Sequence, residues 1–199
     1  MKILRSTDPK ATAEAVRVLS LGGIVAYPTE TFYGLAVRYD NPAALEKLAA
    51  LKGRVAGKAF PLIVGDAKAS LGLVAAELGD QARALIRAHW PGALTILFPM
   101  TPGLPPRICV NGKVAVRMSG GAFALALARA AGAPITSTSA NPSAMHPPVS
   151  AGEVIRYFPR GIDLVIDGGP TPGGAPSTIV DVSGPKPRIV RQGAVKLDV

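Results

Sequence analysis

Cysteine is almost absent. One residue, Cys109, stands in a chain of 199, which excludes an internal disulfide framework and a cysteine-clustered zinc site. Two histidines, His89 and His146, lie far apart and lack the spacing of a ligand pair, so no histidine-based metal centre is expected. No apolar run approaches the roughly 18 residues that a membrane helix needs. The N-terminal Met1-Lys2-Ile3-Leu4-Arg5 runs into polar residues rather than the apolar stretch of a secretion signal. A soluble, cytoplasmic protein with no membrane partner is the expectation. Aromatic residues make up 5% of the chain, a poor supply for stacking single-stranded nucleic acid. Gly-x4-Gly-Lys-Ser/Thr, Gly-x-Gly-x-x-Gly and Gly-x-Ser-x-Gly are all missing, which withdraws support from the standard nucleotide folds and from the hydrolase nucleophile elbow.

What is present describes an ordinary globular chain. The apolar fraction is 48%, and the length suits one domain over residues 1–199 with a sizeable core. The 22 glycines and 19 prolines promise tight turns and ordered loops. Lys and Arg number 22 against 13 Asp and Glu, a net charge of +9. Acidic residues are missing altogether from Gln81 to Gly152. That stretch carries Arg83, Arg87, Arg107, Lys113, Arg117 and Arg129 with no acidic neighbour in sequence. Basic composition alone produces such a stretch by chance. The alternative is a cleft for an anion, whether nucleotide, carboxylate or nucleic-acid backbone.

Helical and strand patterns alternate without a repeat or a linker. Asp8-Pro9 to Gly22-Gly23, Asn41-Pro42 to Gly53, two pieces of Asp66–His89 broken near Gly79, Ala122–Ala131 and a helix from the Ser150–Glu153 capping box read as helices. Ile24–Tyr27, Pro61–Val64, Leu94–Phe98, Val114–Arg117, Ile135–Thr138, Leu164–Ile166, Thr178–Val182 and Ile189–Arg191 read as strands. The last strands have no helical crossovers between them, which predicts an α/β domain with a twisted, mixed sheet flanked by helices.

Four segments are more polar than connectors need to be. Tyr27-Pro28-Thr29-Glu30-Thr31-Phe32-Tyr33-Gly34-Leu35 follows a strand, where α/β proteins bind ligands, although a hydroxyl-stapled turn accounts for it equally. Lys52-Gly53-Arg54, with Lys58 beyond, suits either the dipole at a helix C-terminus or a polyphosphate clamp. Val116-Arg117-Met118-Ser119-Gly120-Gly121 delivers an arginine into a glycine turn that opens a helix. Thr136-Ser137-Thr138-Ser139-Ala140-Asn141-Pro142-Ser143 offers hydroxyl and amide groups at a strand's end. Cys109 sits in an apolar, strand-like segment and reads as core.

Taken in order, these segments resemble the YrdC/TsaC family of threonylcarbamoyl-AMP synthases. The resemblance rests on Tyr27-Pro28-Thr29-Glu30-Thr31 with Tyr33-Gly34-Leu35, Lys52-Gly53-Arg54, Pro61-Leu62-Ile63-Val64 and Trp90-Pro91-Gly92-Ala93-Leu94-Thr95. It continues through Val116-Arg117, Ser137-Thr138-Ser139-Ala140-Asn141 and Ser177-Thr178-Ile179-Val180-Asp181 to Ile189-Val190-Arg191-Gln192-Gly193, and spans about residues 8 to 194. Longer relatives add a second C-terminal domain, so the single YrdC-like domain with an open basic cleft is expected here. After Asn141 many relatives carry Ser-Gly, where this chain has Pro142-Ser143-Ala144-Met145-His146.

The resemblance implies a nucleotidyltransferase that makes threonylcarbamoyl-AMP and pyrophosphate from L-threonine, bicarbonate and ATP. Partner proteins would then pass the threonylcarbamoyl group to adenosine in tRNAs reading ANN codons. Carried over by motif, Lys52, Arg54, Ser139 and Asn141 form the catalytic tetrad. Thr31, Arg117 and Ser177 would hold threonine, with Arg117 on its carboxylate. Arg54, Lys58, Ser137, Ser139, Pro147 and Arg191 would line the ATP side. Mg²⁺ would arrive with the triphosphate, because no cluster of protein carboxylates is visible. Weak tRNA binding is a secondary expectation. The alternatives are a related carbamoyl-adenylate-forming activity and an RNA-binding module without catalysis.

Overall fold

The computed structural model describes residues 1–54, 57–75 and 77–197, the side chain of Leu71 excepted. Its elements in chain order are β1 (Lys2–Arg5), α1 (Ala11–Ser20), β2 (Val25–Pro28), β3 (Tyr33–Ala36), α2 (Pro42–Lys52), β4 (Leu62–Ile63), a 3₁₀ segment (Ala67–Leu73) and α3 (Asp80–His89). There follow β5 (Leu94–Pro99), a 3₁₀ turn (Pro106–Ile108), β6 (Cys109–Val110), β7 (Lys113–Arg117) and α4 (Ala122–Ala130). The last are β8 (Ile135–Thr136), β9 (Thr138–Ser139), α5 (Ala151–Tyr157), β10 (Leu164–Asp167), β11 (Thr178–Asp181) and β12 (Arg188–Arg191).

Helix boundaries follow local hydrogen-bond chemistry. Asn41 caps α2 by accepting from the Ala44 amide at 3.0 Å, Pro42 occupies the first turn, and Gly53 closes the helix. Ser150 caps α5 through the Glu153 amide at 3.3 Å, while the Glu153 carboxylate takes the Val149 amide at 2.7 Å. The helix expected from Asp8-Pro9 starts later, at Ala11. Asp8 instead accepts from the Lys10 amide at 2.8 Å and staples the turn ahead of it. Of the two pieces expected in Asp66–His89, the first is a 3₁₀ segment and the second is α3, and Ala76 between them lies outside the described residues.

The expected mixed α/β architecture is present, with its strands divided over two sheets. One runs β1-β10-β2-β3-β9, parallel through β2 and antiparallel beyond it. The other runs β12-β11-β5-β7-β4-β8, with β6 also paired to β7. Inside its exposed edge strand β1, the first sheet is buried on both faces along β10, β2 and β3, and side-chain alternation sorts their residues between two cores. Val25, Tyr27, Leu164 and Ile166 pack with Ala11, Ala15 and Leu19 of α1 and with Ala124 and Leu127 of α4. Ala26 and Val165 point the other way, into a larger core with Leu45 and Leu48 of α2 and with Leu62, Leu94, Ile96, Val114 and Val116 of the second sheet.

One junction decides where polar groups collect. Ile135–Thr138 reads as a single strand in sequence, but Ile135 and Thr136 pair with β4 in the second sheet, and Thr138 and Ser139 pair with β3 in the first. The chain therefore changes sheets at Ser137. A hydroxyl-rich segment suits that position, because the backbone leaves one ladder before joining the other.

Candidate active-site cleft

Between the two sheets lies a cleft of about 450 Å³. Its floor comes from strand alternation. Leu94, Ile96 and Phe98 of β5 and Val114 and Val116 of β7 enter the core, so Thr95, Leu97, Ala115 and Arg117 face the opening beside Ile179 of β11. The walls are Thr29, Thr31 and Phe32 with Tyr33 and Gly34 of β3, Arg54, Ala59 and Pro61, the Ser137–Ser139 junction, Pro147, Pro176, and Val190 with Arg191 on β12. The floor is largely apolar and the rim carries arginine and hydroxyl groups.

Arg117 ends β7 with its side chain 8% exposed. Its guanidinium lies 3.4 Å from the Glu30 carboxylate and donates no hydrogen bond to any described residue. A buried fork of N–H donors without acceptors is suited to a planar anion such as a carboxylate.

Ser177 connects the groups around it. Its hydroxyl is 3.0 Å from that of Thr95, and Arg191 donates to its carbonyl at 2.7 Å and its hydroxyl at 3.2 Å. Burial and the nearby positive charge of Arg117 both push the Arg191 pKa down. The two guanidiniums repel each other across Ser177, and an anion between them relieves that repulsion.

Arg54 is set in a frame of neutral acceptors. It donates to the carbonyls of Lys58 at 2.9 Å and Ala59 at 2.5 Å and to the Thr138 hydroxyl at 3.3 Å, and its guanidinium lies 4.6 Å above the Phe60 ring. Burial, and after it the charge of Arg107, pushes its pKa down. Arg54 is thus an oriented cation on the cleft wall with no carboxylate to neutralise it among the described residues.

Eight of the residues singled out by sequence line this cleft together: Thr31, Arg54, Arg117, Ser137, Ser139, Pro147, Ser177 and Arg191. Lys52, Lys58 and Asn141 do not line it. The Lys52 ammonium is buried and donates to the carbonyls of Ser139 at 2.5 Å and Asn141 at 2.6 Å, behind the wall. Burial, with the charge of Arg54, pushes its pKa down to about 7. Asn141 is also buried. Its amide nitrogen donates to the carbonyls of Pro142 at 3.0 Å and Met145 at 2.5 Å, which folds the loop after β9. Lys58 is exposed and contributes its carbonyl to Arg54.

Thr95, Thr138 and Val110 also line the cleft, beyond the residues that the sequence motifs single out. Thr95 and Thr138 stand inside two of those motifs, and strand alternation points them at the cleft. Val110 is placed by a hairpin whose signal was Asn111-Gly112, with φ of +49° and +70°, the turn that tightly joins β6 to β7. The acid-free stretch is compensated in space. Arg83, Arg107, Lys113 and Arg117 reach Glu77, Glu46, Asp181 and Glu30, all outside that stretch. Among the described residues no three His, Cys, Asp or Glu side chains gather in a group able to hold a metal ion, and no helix is long and apolar enough to cross a membrane.

Residues 17–193 match the model of the Sua5/YciO/YrdC family, described as telomere recombination. The threonylcarbamoyl-AMP synthase of Bacillus subtilis (strain 168) is 37% identical over 193 residues, covering 96% of this chain and 55% of that protein. That of Thiobacillus denitrificans is 38% identical over 167 residues, covering 83% of this chain and 87% of the relative. The chain spans about half the length of the first two curated relatives it matches, 55% and 52%. Among solved structures, Pyrococcus abyssi Sua5 complexed with L-threonine superposes with a TM-score of 0.88 at 32% identity, covering 96% of this chain and 56% of that one. Escherichia coli YciO superposes at 0.85 with 24% identity over 98% and 95% of the two chains, a likeness of fold.

Proposed function

The chain belongs to the Sua5/YciO/YrdC family, and from that membership and the cleft's chemistry we propose that it makes threonylcarbamoyl-AMP from L-threonine, bicarbonate and ATP. The observation that carries the reading is Arg117. It is a buried guanidinium with no hydrogen-bonded acceptor among the described residues, in one cleft with Thr31, Thr95 and Ser177 and with Arg54 and Arg191. A substrate with one carboxylate and a hydroxyl suits the first group. A polyphosphate suits the two arginines, Arg54 and Arg191, that have no carboxylate partner among the described residues.

In this reading the threonine carboxylate pairs with Arg117, and its hydroxyl lies among Thr31, Ser177 and Thr95. The threonine amine forms a bond to the carbon of bicarbonate, with loss of water, to give a carbamate. A carbamate oxygen then attacks the α-phosphorus, and the bond to the β-phosphate oxygen breaks to release pyrophosphate. Charge grows on the phosphoryl oxygens in that step, so fixed cations do most of the work and no side-chain nucleophile is required. Arg54 and Arg191 supply those cations, and Ser137 and Ser139, on either side of the Thr138 that Arg54 touches, supply hydroxyl donors. Mg²⁺, carried by the triphosphate, would neutralise part of its charge, while this chain provides the arginines and hydroxyls around it. Lys52 and Asn141 shape the Ser139 wall. The adenylate, a reactive mixed anhydride, would pass to tRNA-modifying partner proteins in the cytoplasm.

Pyrophosphate release from ATP, measured with and without L-threonine and bicarbonate, tests the reading. Release should need both, and Arg54→Ala or Arg117→Ala should reduce it by about 100-fold or more, the scale of losing a hydrogen-bonded charge. Release that ignores threonine, or survives both substitutions, overturns it.

A further inference from the structure

We propose that Glu30 and Ser119 form a positioning pair for Arg117 and so set the affinity of the cleft for an amino-acid carboxylate, an inference that rests on Arg117 being the carboxylate ligand. Neither residue lines the cleft. They stand behind Arg117, in the layer that determines where its guanidinium points.

The geometry is asymmetric between the two oxygens of Glu30. Oε2 accepts from the Ser119 hydroxyl and from the Gly121 amide, the latter at 3.2 Å. The Gly121 amide also lies 3.3 Å from the Ser119 hydroxyl, which closes a small triangle. Oε1 is buried, has no hydrogen bond among the described residues, and sits 3.4 Å from the nearer guanidinium nitrogen of Arg117. One oxygen is therefore consumed in fixing the carboxylate, and the other faces the arginine as a charge. Among the described residues the Arg117 N–H groups have no acceptor, which leaves them to a ligand. The two charges still hold each other in place, and a charge pair without competing hydrogen bonds leaves the bidentate fork intact.

The carboxylate cannot readily swing away. Glu30 belongs to a turn stapled by Thr29, whose hydroxyl accepts from the Thr31 amide at 3.1 Å and donates to the Phe32 carbonyl at 2.7 Å. The facing loop touches this turn backbone to backbone, for a Cβ at Gly121 would stand 2.9 Å from the Glu30 nitrogen. Ser119 itself is fully buried. Burial pushes the Glu30 pKa up, but the charge of Arg117 and the Ser119 hydrogen bond outweigh it, so the net shift is downward and Glu30 remains ionised at neutral pH. An ionised Glu30 also repels an incoming carboxylate. Orientation prevails over that repulsion, because Arg117 has no other partner among the described residues to fix its fork.

The test uses the full chain, reading L-threonine binding by calorimetry together with KM for threonine and for ATP in pyrophosphate release. Glu30→Ala should weaken threonine, in Kd and KM alike, by about tenfold or more, and Ser119→Ala by about threefold or more. KM for ATP should stay within about twofold, which also reports that the variants fold. Glu30→Gln keeps an oxygen that can accept from Ser119, and should recover part of the loss. On an Arg117→Ala background, Glu30→Ala should cost nothing further, because a residue acting through another has nothing left to act on. Additive losses, an equal rise in KM for ATP, or tighter threonine in Glu30→Ala would overturn the positioning role. A wild-type chain that binds threonine while Arg117→Ala binds it equally well removes the underlying reading of Arg117, and the positioning role falls with it.

Discussion

The ammonium nitrogen of Lys52 lies 2.6 Å from the main-chain oxygen of Asn141, behind the cleft rather than in it. A second bond, to the Ser139 carbonyl, makes the side chain a clip between the end of α2 and the loop after β9. Lys52→Met keeps the volume and removes the donor. It leaves two buried carbonyls without a partner, at a cost of about 1–3 kcal/mol in stability by urea unfolding. KM for ATP should rise as the Ser139 wall loosens, with threonine binding by calorimetry much less affected.

The same lysine makes stability depend on pH. Its pKa falls from the ordinary 10.5 to about 7 in the folded chain, by burial and by the charge of Arg54. Between those values the unfolded chain binds the proton and the folded chain does not, so this group adds stability as pH rises and loses it again as pH falls through about 7. Urea midpoints at pH 7 and pH 9.5 should show wild type gaining on Lys52→Met. Parallel midpoints at the two pH values would contradict the lowered pKa.

Asp181 gives the opposite end of the pH range. Burial alone would raise its pKa, but the Lys113 ammonium at 2.6 Å and the hydroxyl and amide of Ser183 hold the carboxyl at about 2. Its contribution is complete above the ordinary 3.8 and is lost as pH falls through about 2. Since β5 lies between β7 and β11, the Lys113–Asp181 pair spans a strand, and Asp181 also faces Arg188 on β12. Asp181→Asn should lower stability at pH 7 by about 1–3 kcal/mol and flatten acid unfolding between pH 4 and 2, followed by circular dichroism.

Eight motif residues share one cleft while Lys52, Lys58 and Asn141 stand outside it, and the difference has a physical reason. Strand alternation around Val114 and Val116 is a local property, and it aims Arg117 at the opening without knowledge of the rest. Helix ends at Asn41 and Ser150 are equally local. The direction taken by Lys52 is not, because it depends on carbonyls about ninety residues away. The compensation of Arg117 by Glu30 and of Lys113 by Asp181 likewise joins residues from different strands and turns. The change of sheets at Ser137 escapes a pattern reading for another reason: two residues in each ladder are too few to show a period.

Thr95 tests whether Ser177 needs its neighbour. The hydroxyls are 3.0 Å apart, and Thr95→Val removes one of them at nearly constant shape. The expected outcome is a rise of roughly three- to tenfold in KM for threonine, the value of one neutral hydrogen bond, with KM for ATP unchanged.

Gly193 is a matter of space. A Cβ there would collide with the Pro176 carbonyl oxygen and stand 2.6 Å from the Ser177 carbonyl carbon, so Gly193→Ala must displace the backbone that carries Ser177. The variant should lose about 1–3 kcal/mol of stability in thermal unfolding and lose threonine affinity as well. Affinity retained at wild-type strength would mean that Ser177 is not a contact.

What leaves the cleft decides between the readings, and mass analysis of the products formed by the purified chain from ATP, L-threonine and bicarbonate reads it. The expected product is an adenylate bearing the threonylcarbamoyl group, formed together with pyrophosphate and absent when either threonine or bicarbonate is withheld. An adenylate that forms without threonine, or ATP left unconsumed in the complete mixture, would contradict it.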